Sequence, residues 1–246
     1  MPQSWIGTSG WSYPNWEGPF YPKGLKRTDW LAFYGERLDS VEMNNSFYRL
    51  PKAEMLSRWA ERTPGDFLFA VKGSRLVTHL KRLKGCEEPL EIFFERMTAL
   101  GDKLGPVLFQ LPPNFPCDLP LLRAFLQTVP EGHRYTVEFR DPSWHVPEVS
   151  ELLSEHNAAF CIFELGTLRS PELITADFAY IRLHGPGERY VGNYDEATLG
   201  AWAQRLRAWR QDGKDSYVYF DNTDEADYAL RNALRLKELT EAPESR

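Results

Sequence analysis

Cysteine is scarce in this chain: Cys86, Cys117 and Cys161 are far apart and odd in number. That excludes a disulfide framework and the close pairs of a structural zinc site, and leaves each as a small buried hydrophobe. Long apolar runs are also missing. The longest unbroken stretches are a few residues, against the ~20 needed to cross a bilayer. The opening MPQSWIGTSGW has no charged segment followed by an apolar one, so the expectation is a cytoplasmic protein with no membrane partner. No Gly/Ser linker divides the 246 residues. Positive charge is in deficit, with 29 Lys+Arg against 35 Asp+Glu and a net −6. This argues against an all-over polyanion-binding surface, though not against a local patch.

What is present is a rhythm. Short apolar, β-branched or aromatic runs recur at residues 5–7, 39–43, 67–71, 107–111, 135–139, 159–163, 178–183 and 217–220. The spacing averages about 30 residues, the length of a βα unit. Helical periodicity fills most of the gaps. After Pro51, Met55, Leu56 and Trp59 are spaced for a helix that ends at the Thr63-Pro64-Gly65 breaker. The stretch 90–104 places Leu90, Ile92, Phe93, Phe94, Met97, Leu100 and Leu104 on one broad face and stops at Gly105-Pro106, and 121–129, 146–156, 197–209 and 226–239 behave likewise. Strands alternating with helices imply a parallel sheet, and the continuous apolar character of the runs implies strands covered on both faces. Gly7-Thr8-Ser9-Gly10 is not a dinucleotide fingerprint, which favours a closed α/β barrel of eight units over an open doubly wound sheet. The expectation is a single (β/α)8 domain over residues 1–246, with 240–246 a frayed tail. The short connection between Phe163 and Phe178, holding Gly166 and Pro171, predicts a short or missing sixth helix.

In such a barrel the carboxyl ends of the strands build the functional mouth. The residues at or just past each run are Thr8 and Ser9, Glu42 with Asn44 and Asn45, Lys72, Gln110, Glu138 and Arg140, Glu164, Arg182 and His184, and Asp221 with Asn222. Polar residues end every strand; loops are hydrophilic in general, but eight instances on one face point to a site. Glu42 and Glu138 lie within strands, where a desolvated carboxylate needs a cation, a metal or a raised pKa. Arg140 and Arg182 have the forked geometry that suits a carboxylate or a phosphate. Two readings therefore stand side by side: a structural Glu/Arg network, or catalysis by Glu42, Glu138 and His184. Trp11 and Trp144, with Tyr13, Trp16, Phe47, Tyr48, Tyr190 and Tyr194, sit in the same loops, either as packing over the barrel end or as a stacking surface for a sugar or base. The loop 72–84 carries Lys72, Arg75, Lys81, Arg82 and Lys84 and no acid. It is either a solvated amphipathic segment with Leu76, Leu80 and Leu83, or a phosphate cradle with Thr78 and His79 as donors.

These segments also resemble a known family. Gly7-Thr8-Ser9-Gly10-Trp11, Glu42-Met43-Asn44-Asn45-Ser46-Phe47-Tyr48, Lys72 with Thr78-His79, Gln110-Leu111-Pro112-Pro113-Asn114-Phe115, Glu138-Phe139-Arg140 with Ser143-Trp144, Arg182-Leu183-His184-Gly185 and Tyr219-Phe220-Asp221-Asn222 are similar to the DUF72 (YecE-like) pattern, in order along nearly the whole chain. The resemblance implies a TIM-barrel-like fold, comparable in outline to metal-dependent sugar isomerases and apurinic-site endonucleases, and supplies no reaction. Where the family commonly has Phe-Asn-Asn, this chain has Phe220-Asp221-Asn222, a carboxylate in place of an amide.

Three functions follow as expectations. The first is an enzyme that binds a phosphorylated or phosphodiester anion at the mouth and hydrolyses or isomerises it. Its ligand set is Thr8, Trp11, Asn44, Asn45, Lys72, His79, Gln110, Arg140, Trp144, Arg182, Asp221 and Asn222, and a divalent metal on Glu42, Glu138, His184 and Asp221 is one version of it. The second is glycoside chemistry by Glu42 and Glu138, which requires that no guanidinium lies between them. The third is single-stranded nucleic-acid binding by the 72–84 loop and the mouth aromatics.

Overall fold

The computed structural model describes residues 1–223 and 226–242. Eight parallel strands close on themselves: β1 (Ser4–Ser9), β2 (Ser40–Met43), β3 (Leu68–Lys72), β4 (Leu104–Gln110), β5 (Tyr135–Glu138), β6 (Ala159–Gly166), β8 (Phe178–Pro186) and β9 (Asp215–Phe220). The β5–β6 and β9–β1 pairings complete the ring, while β7 (Leu168–Arg169) is a two-residue antiparallel return on β6. The outer layer comprises α1 (Trp30–Gly35), α2 (Asn45–Tyr48), α3 (Ala53–Glu61), α4 (Glu87–Met97), α5 (Leu119–Thr128), α6 (Pro147–Glu155), α7 (Glu196–Gln211) and α8 (Tyr228–Glu241). The expected (β/α)8 barrel is what forms. No helix follows β6: residues 167–177 carry only the β7 return, as their Gly/Pro content and brevity predict. Among the described residues no helix is long and apolar enough to cross a membrane.

The apolar side chains form two cores, because successive residues of a strand point to opposite faces. The larger core lies between strands and helices and includes Ile6, Val41, Phe69, Val71, Phe109, Val137, Ile181 and Phe220. The smaller fills the barrel with Ala70, Leu108, Cys161, Phe163, Phe178, Tyr180, Tyr217 and Tyr219. Trp5 stacks on Tyr217 at 4.9 Å near the amino end. Above it Tyr219 meets the Ser40 hydroxyl at 2.7 Å. The polar layer comes last, at the carboxyl end.

Three details depart from the sequence expectation. Leu104 begins β4 rather than ending a helix; Gly105 and Pro106 lie inside that strand, and a 3-10 segment (Thr98–Lys103) fills the gap after α4. The loop after β3 is a wide π-type turn (Leu76–Leu80) that buries Val77 and Thr78 and leaves Leu76 and Leu80 exposed, so the leucines do not form one packed face. Finally, α8 runs on to Glu241, two residues into the expected tail, and residues 243–246 lie outside the described residues.

Candidate functional site

Parity along each strand decides which polar groups face the mouth. On β8 the inward positions are Phe178, Tyr180, Arg182 and His184; on β2 they are Ser40 and Glu42; on β3, Leu68, Ala70 and Lys72. Arg182, 1% exposed, occupies the centre. Its Nε donates to Glu42 Oε2 at 2.9 Å, Nη2 to Glu42 Oε1 at 2.7 Å and Nη1 to Glu138 Oε2 at 2.8 Å. The Tyr180 hydroxyl at 2.7 Å and the Ser9 hydroxyl at 2.6 Å satisfy the remaining lone pairs of Glu42. Glu138 gives its other oxygen to Arg140 Nε, and the Cys161 thiol lies 3.7 Å from Oε2. Burial alone would raise the Glu138 pKa; the guanidiniums of Arg140 and Arg182 outweigh it and hold the carboxyl well below the usual range.

This geometry answers the two readings of the carboxylates. Glu42 and Glu138 are the anionic arms of a buried, hydrogen-bonded network around Arg182, the arrangement the structural reading expects, and this weighs against their expected role as catalytic bases. Every oxygen is engaged, and Glu138 is held ionised. The glycoside reading falls with it, because Arg182 bridges the two carboxylates. The metal reading meets the same obstacle. Among the described residues no three His, Cys, Asp or Glu side chains converge as a metal site, and a cation set on Glu42, Glu138, His184 and Asp221 would displace, or sit against, the Arg182 guanidinium.

His184 sits at the edge of that network, linked to it through Arg140 and through Asp221, which Arg182 Nη2 also meets at 3.5 Å. It is 1% exposed, with Nδ1 2.9 Å from Asp221 Oδ2 and Nε2 3.2 Å from Arg140 Nη2. A guanidinium only donates, so Nε2 is an unprotonated acceptor and the proton of the neutral ring belongs to Nδ1, the nitrogen close to Asp221. Burial and then the Arg182 charge lower the His184 pKa below its ordinary value, so the imidazole is neutral at pH 7. Asp221 is held ionised: burial pushes its pKa up, but the His184 hydrogen bond and charge, with Arg182 and Lys72, bring it below the usual value. The carboxylate that stands where the family pattern has an amide is thus the group that orients His184. Tyr190 packs edge-on against the imidazole at 5.4 Å.

Lys72 is the remaining cation. Its ammonium lies 4.5 Å from the centre of the Phe47 ring, and among the described residues it has no ion pair and no hydrogen-bond acceptor. Burial, then the charge of Arg182, lowers its pKa to about 8, against the opposing pull of Glu138, Glu42 and Asp221. The His79 ring meets Phe47 edge-on at 5.0 Å, with Nδ1 2.9 Å from the Thr78 hydroxyl. Asn44, on the loop between β2 and α2, leaves a buried side-chain oxygen without a hydrogen-bond partner.

Other expected ligand residues lie elsewhere. Thr8 faces outward and bonds the Tyr34 hydroxyl at 2.9 Å and the Gly10 carbonyl; its neighbour Ser9 is the inward residue. Asn222 also faces outward, donating to the Gly192 carbonyl and to Asn232 on α8. Trp144 is buried, its indole donating to the Phe115 carbonyl at 2.6 Å. Trp11 packs edge-on against Trp59. Asn45 caps its own turn at Ser46, and Gln110 donates to the Leu111 carbonyl. Most loop aromatics therefore pack the barrel end, and Tyr48, 75% exposed, is the main exception. Ser9 and Tyr180 belong to the polar layer although the strand-end reading passed over Tyr180. Its two-residue spacing from Arg182 is the signal that places it. Outside the barrel, the loop after β3 forms one wall of a 620 Å³ groove, with Lys81, Arg82 and Lys84 facing Phe115, Cys117 and Leu119.

Comparison with known proteins agrees with the fold and adds no chemistry. The sequence profile of "Protein of unknown function DUF72" matches residues 5–246. The UPF0759 protein YecE of Escherichia coli (strain K12) is 35% identical over 141 residues, 57% of this chain and 49% of that protein, so the matched segment spans about half of YecE. The UPF0759 protein YunF of Bacillus subtilis (strain 168) is 27% identical over 96% of this chain and 94% of its own. Among solved structures, a DUF72 family protein from Thermotoga maritima superposes with a TM-score of 0.88 at 30% identity, covering 98% of this chain and 100% of that one. A DUF72 family protein from Enterococcus faecalis gives 0.81 at 19% identity over 99% and 97% of the two chains, a likeness of fold alone.

Proposed function

The chain belongs to the DUF72 family, and we propose that it binds a phosphorylated or phosphodiester anion at the carboxyl mouth of its barrel and acts on it with His184 as the acid–base group. The observation that carries this reading is Lys72. Every mouth carboxylate is already engaged by a guanidinium or by His184, whereas the Lys72 ammonium has no counter-ion among the described residues. A partly desolvated cation of this kind is completed by an anion from outside. Arg140 supplies a second contact, since only its Nε is committed to Glu138. An anion that draws Arg140 Nη2 away exposes His184 Nε2, a neutral base already oriented by Asp221. Binding and activation of the base are then one event.

The test is inorganic phosphate. Stabilisation follows RT ln(1 + [L]/Kd), about 2.7 kcal/mol at a hundredfold excess over Kd. The expected outcome is a rise in melting temperature with phosphate but not with sodium chloride of equal ionic strength, reduced in Lys72→Met and in Arg140→Gln. Equal curves in phosphate and chloride would sink the reading.

A second reading rests on a different surface. The groove bearing Lys81, Arg82 and Lys84 lies in the same loop as exposed Leu76 and Leu80, and suits a single-stranded nucleic-acid backbone. Binding of a labelled oligothymidylate at low salt, lost steeply as salt rises and weakened by replacing those three cations, supports it; no binding at low salt removes it.

A further inference from the structure

The chain has nine lysines, all within the described residues. Lys23, Lys26, Lys52, Lys81 and Lys84 are exposed to solvent. Three of the other four are held by acceptors: Lys103 by the Ala60 and Thr63 carbonyls, Lys214 by the Ala176 carbonyl and Lys237 by Asp39. Lys72 alone is half-buried with a bare ammonium. It sits inside the barrel mouth on the ring of Phe47, in the field of Arg182 from β8, Glu42 from β2, Glu138 from β5 and Asp221 beyond β9. An ammonium held only by a ring face loses little when it gives up its proton, whereas one locked to carbonyls or a carboxylate loses those bonds as well.

From this we infer that Lys72 is a nucleophile that forms an imine with the carbonyl carbon of a phosphorylated aldehyde or ketone, whose phosphate is held by Arg140. The inference rests on the anion-binding reading and names the substrate class for the same site. The step balances without an oxidant or reductant. The Nζ lone pair bonds to the carbonyl carbon, the carbonyl π pair takes up a proton to become a hydroxyl, and that hydroxyl leaves with a second nitrogen proton as water. The net change is ammonium plus carbonyl to iminium plus water. His184 Nε2, an unprotonated acceptor at the same mouth, is the base suited to carry the proton between nitrogen and oxygen. With its pKa lowered to about 8, Lys72 reaches an even balance of amine and ammonium near pH 8.

The experiment uses the full chain with pyridoxal 5′-phosphate as the phosphorylated aldehyde and pyridoxal as its phosphate-free counterpart. Each is followed by borohydride, which delivers hydride to the imine carbon and fixes the adduct as a secondary amine. Peptide mapping then finds the labelled lysine. The expected result is one label on Lys72, formed at least tenfold faster than on any exposed lysine, slowed about tenfold with pyridoxal, suppressed by excess inorganic phosphate and absent in Lys72→Arg, a variant that keeps the charge. Labels scattered over Lys23, Lys26, Lys52 and Lys84 with Lys72 unmodified overturn the imine. The two readings fail separately. If phosphate raises the melting temperature and Lys72 stays unlabelled, anion binding stands and the imine falls. If pyridoxal labels Lys72 as fast as its phosphate ester and phosphate does not compete, Lys72 is nucleophilic but the phosphorylated substrate class is wrong.

Discussion

Arg182 and His184 are two residues apart on one strand and share a field, yet they have opposite consequences. Arg182 is fully bonded, and its removal leaves Glu42 and Glu138 as buried carboxylates without their main cation. Breaking one partner of a buried ion pair costs about 3–5 kcal/mol, because the survivor keeps its desolvation penalty. Arg182→Met should therefore lower the free energy of unfolding by about that amount in a denaturant titration. The loss should narrow as pH falls, since the orphaned carboxylates acquire raised pKa values and bind protons more readily in the folded state. A loss under ~0.5 kcal/mol, ordinary for a surface arginine, would show that the network is not buried as described. In the intact protein the sign is opposite. The depressed Glu138 pKa contributes stability that is present above the unfolded carboxyl value of 4.5 and is lost as pH falls from there toward the folded value. His184, also depressed, favours the native state above its unfolded value of 6.5, and this contribution shrinks as pH falls below it.

At the scale of elements, the barrel was legible because burial on both faces of a parallel strand forces apolar runs that recur every βα unit. All eight barrel strands overlap the runs read from the sequence. The site was only half legible, and parity is the reason. A strand end carries an inward and an outward polar residue side by side: Ser9 and Thr8 on β1, Asp221 and Asn222 after β9. The register that separates them comes from closure of the ring, a long-range property. Continuing the two-residue step Tyr217, Tyr219, Asp221 would have placed Asp221 inside, as Tyr180, Arg182, His184 does on β8. The segment 185–194, which takes in the last two residues of β8 and the loop beyond, depends on backbone freedom instead. Gly185 has φ +111, and a Cβ there would lie 2.2 Å from the Val191 carbonyl oxygen. Gly185→Ala should cost about 1–3 kcal/mol and push the loop outward, taking Tyr190 off His184. Faster proteolytic cleavage within 185–194, together with a lower melting temperature, is the outcome to look for; unchanged cleavage and melting would mean the loop yields without strain.

For the molecule as a whole, a net charge of −6 coexists with a mouth whose uncommitted charge is positive. Under the anion binding proposed above, charge of one sign on the surface and the other in a concave site makes the event local and proton-linked. Lys72 sets the link. An arriving anion favours its charged form and raises its pKa above the resting value of about 8, so binding takes up a proton wherever the free protein has lost one. Glu138 and Asp221, held ionised, do not titrate in that range, and His184 contributes only below its ordinary 6.5. Sulfate, which does not titrate there either, isolates the effect. Calorimetry in two buffers of different ionisation enthalpy should give almost no proton uptake near pH 7, about half a proton at pH 8 and close to one at pH 9.5. Affinity should fall about tenfold per pH unit on the alkaline side. Lys72→Arg should abolish the uptake while retaining binding, because a guanidinium stays charged throughout. Uptake that is flat with pH, or that persists in Lys72→Arg, would place the binding cation elsewhere in the molecule, with the basic groove of the 72–84 loop next in line.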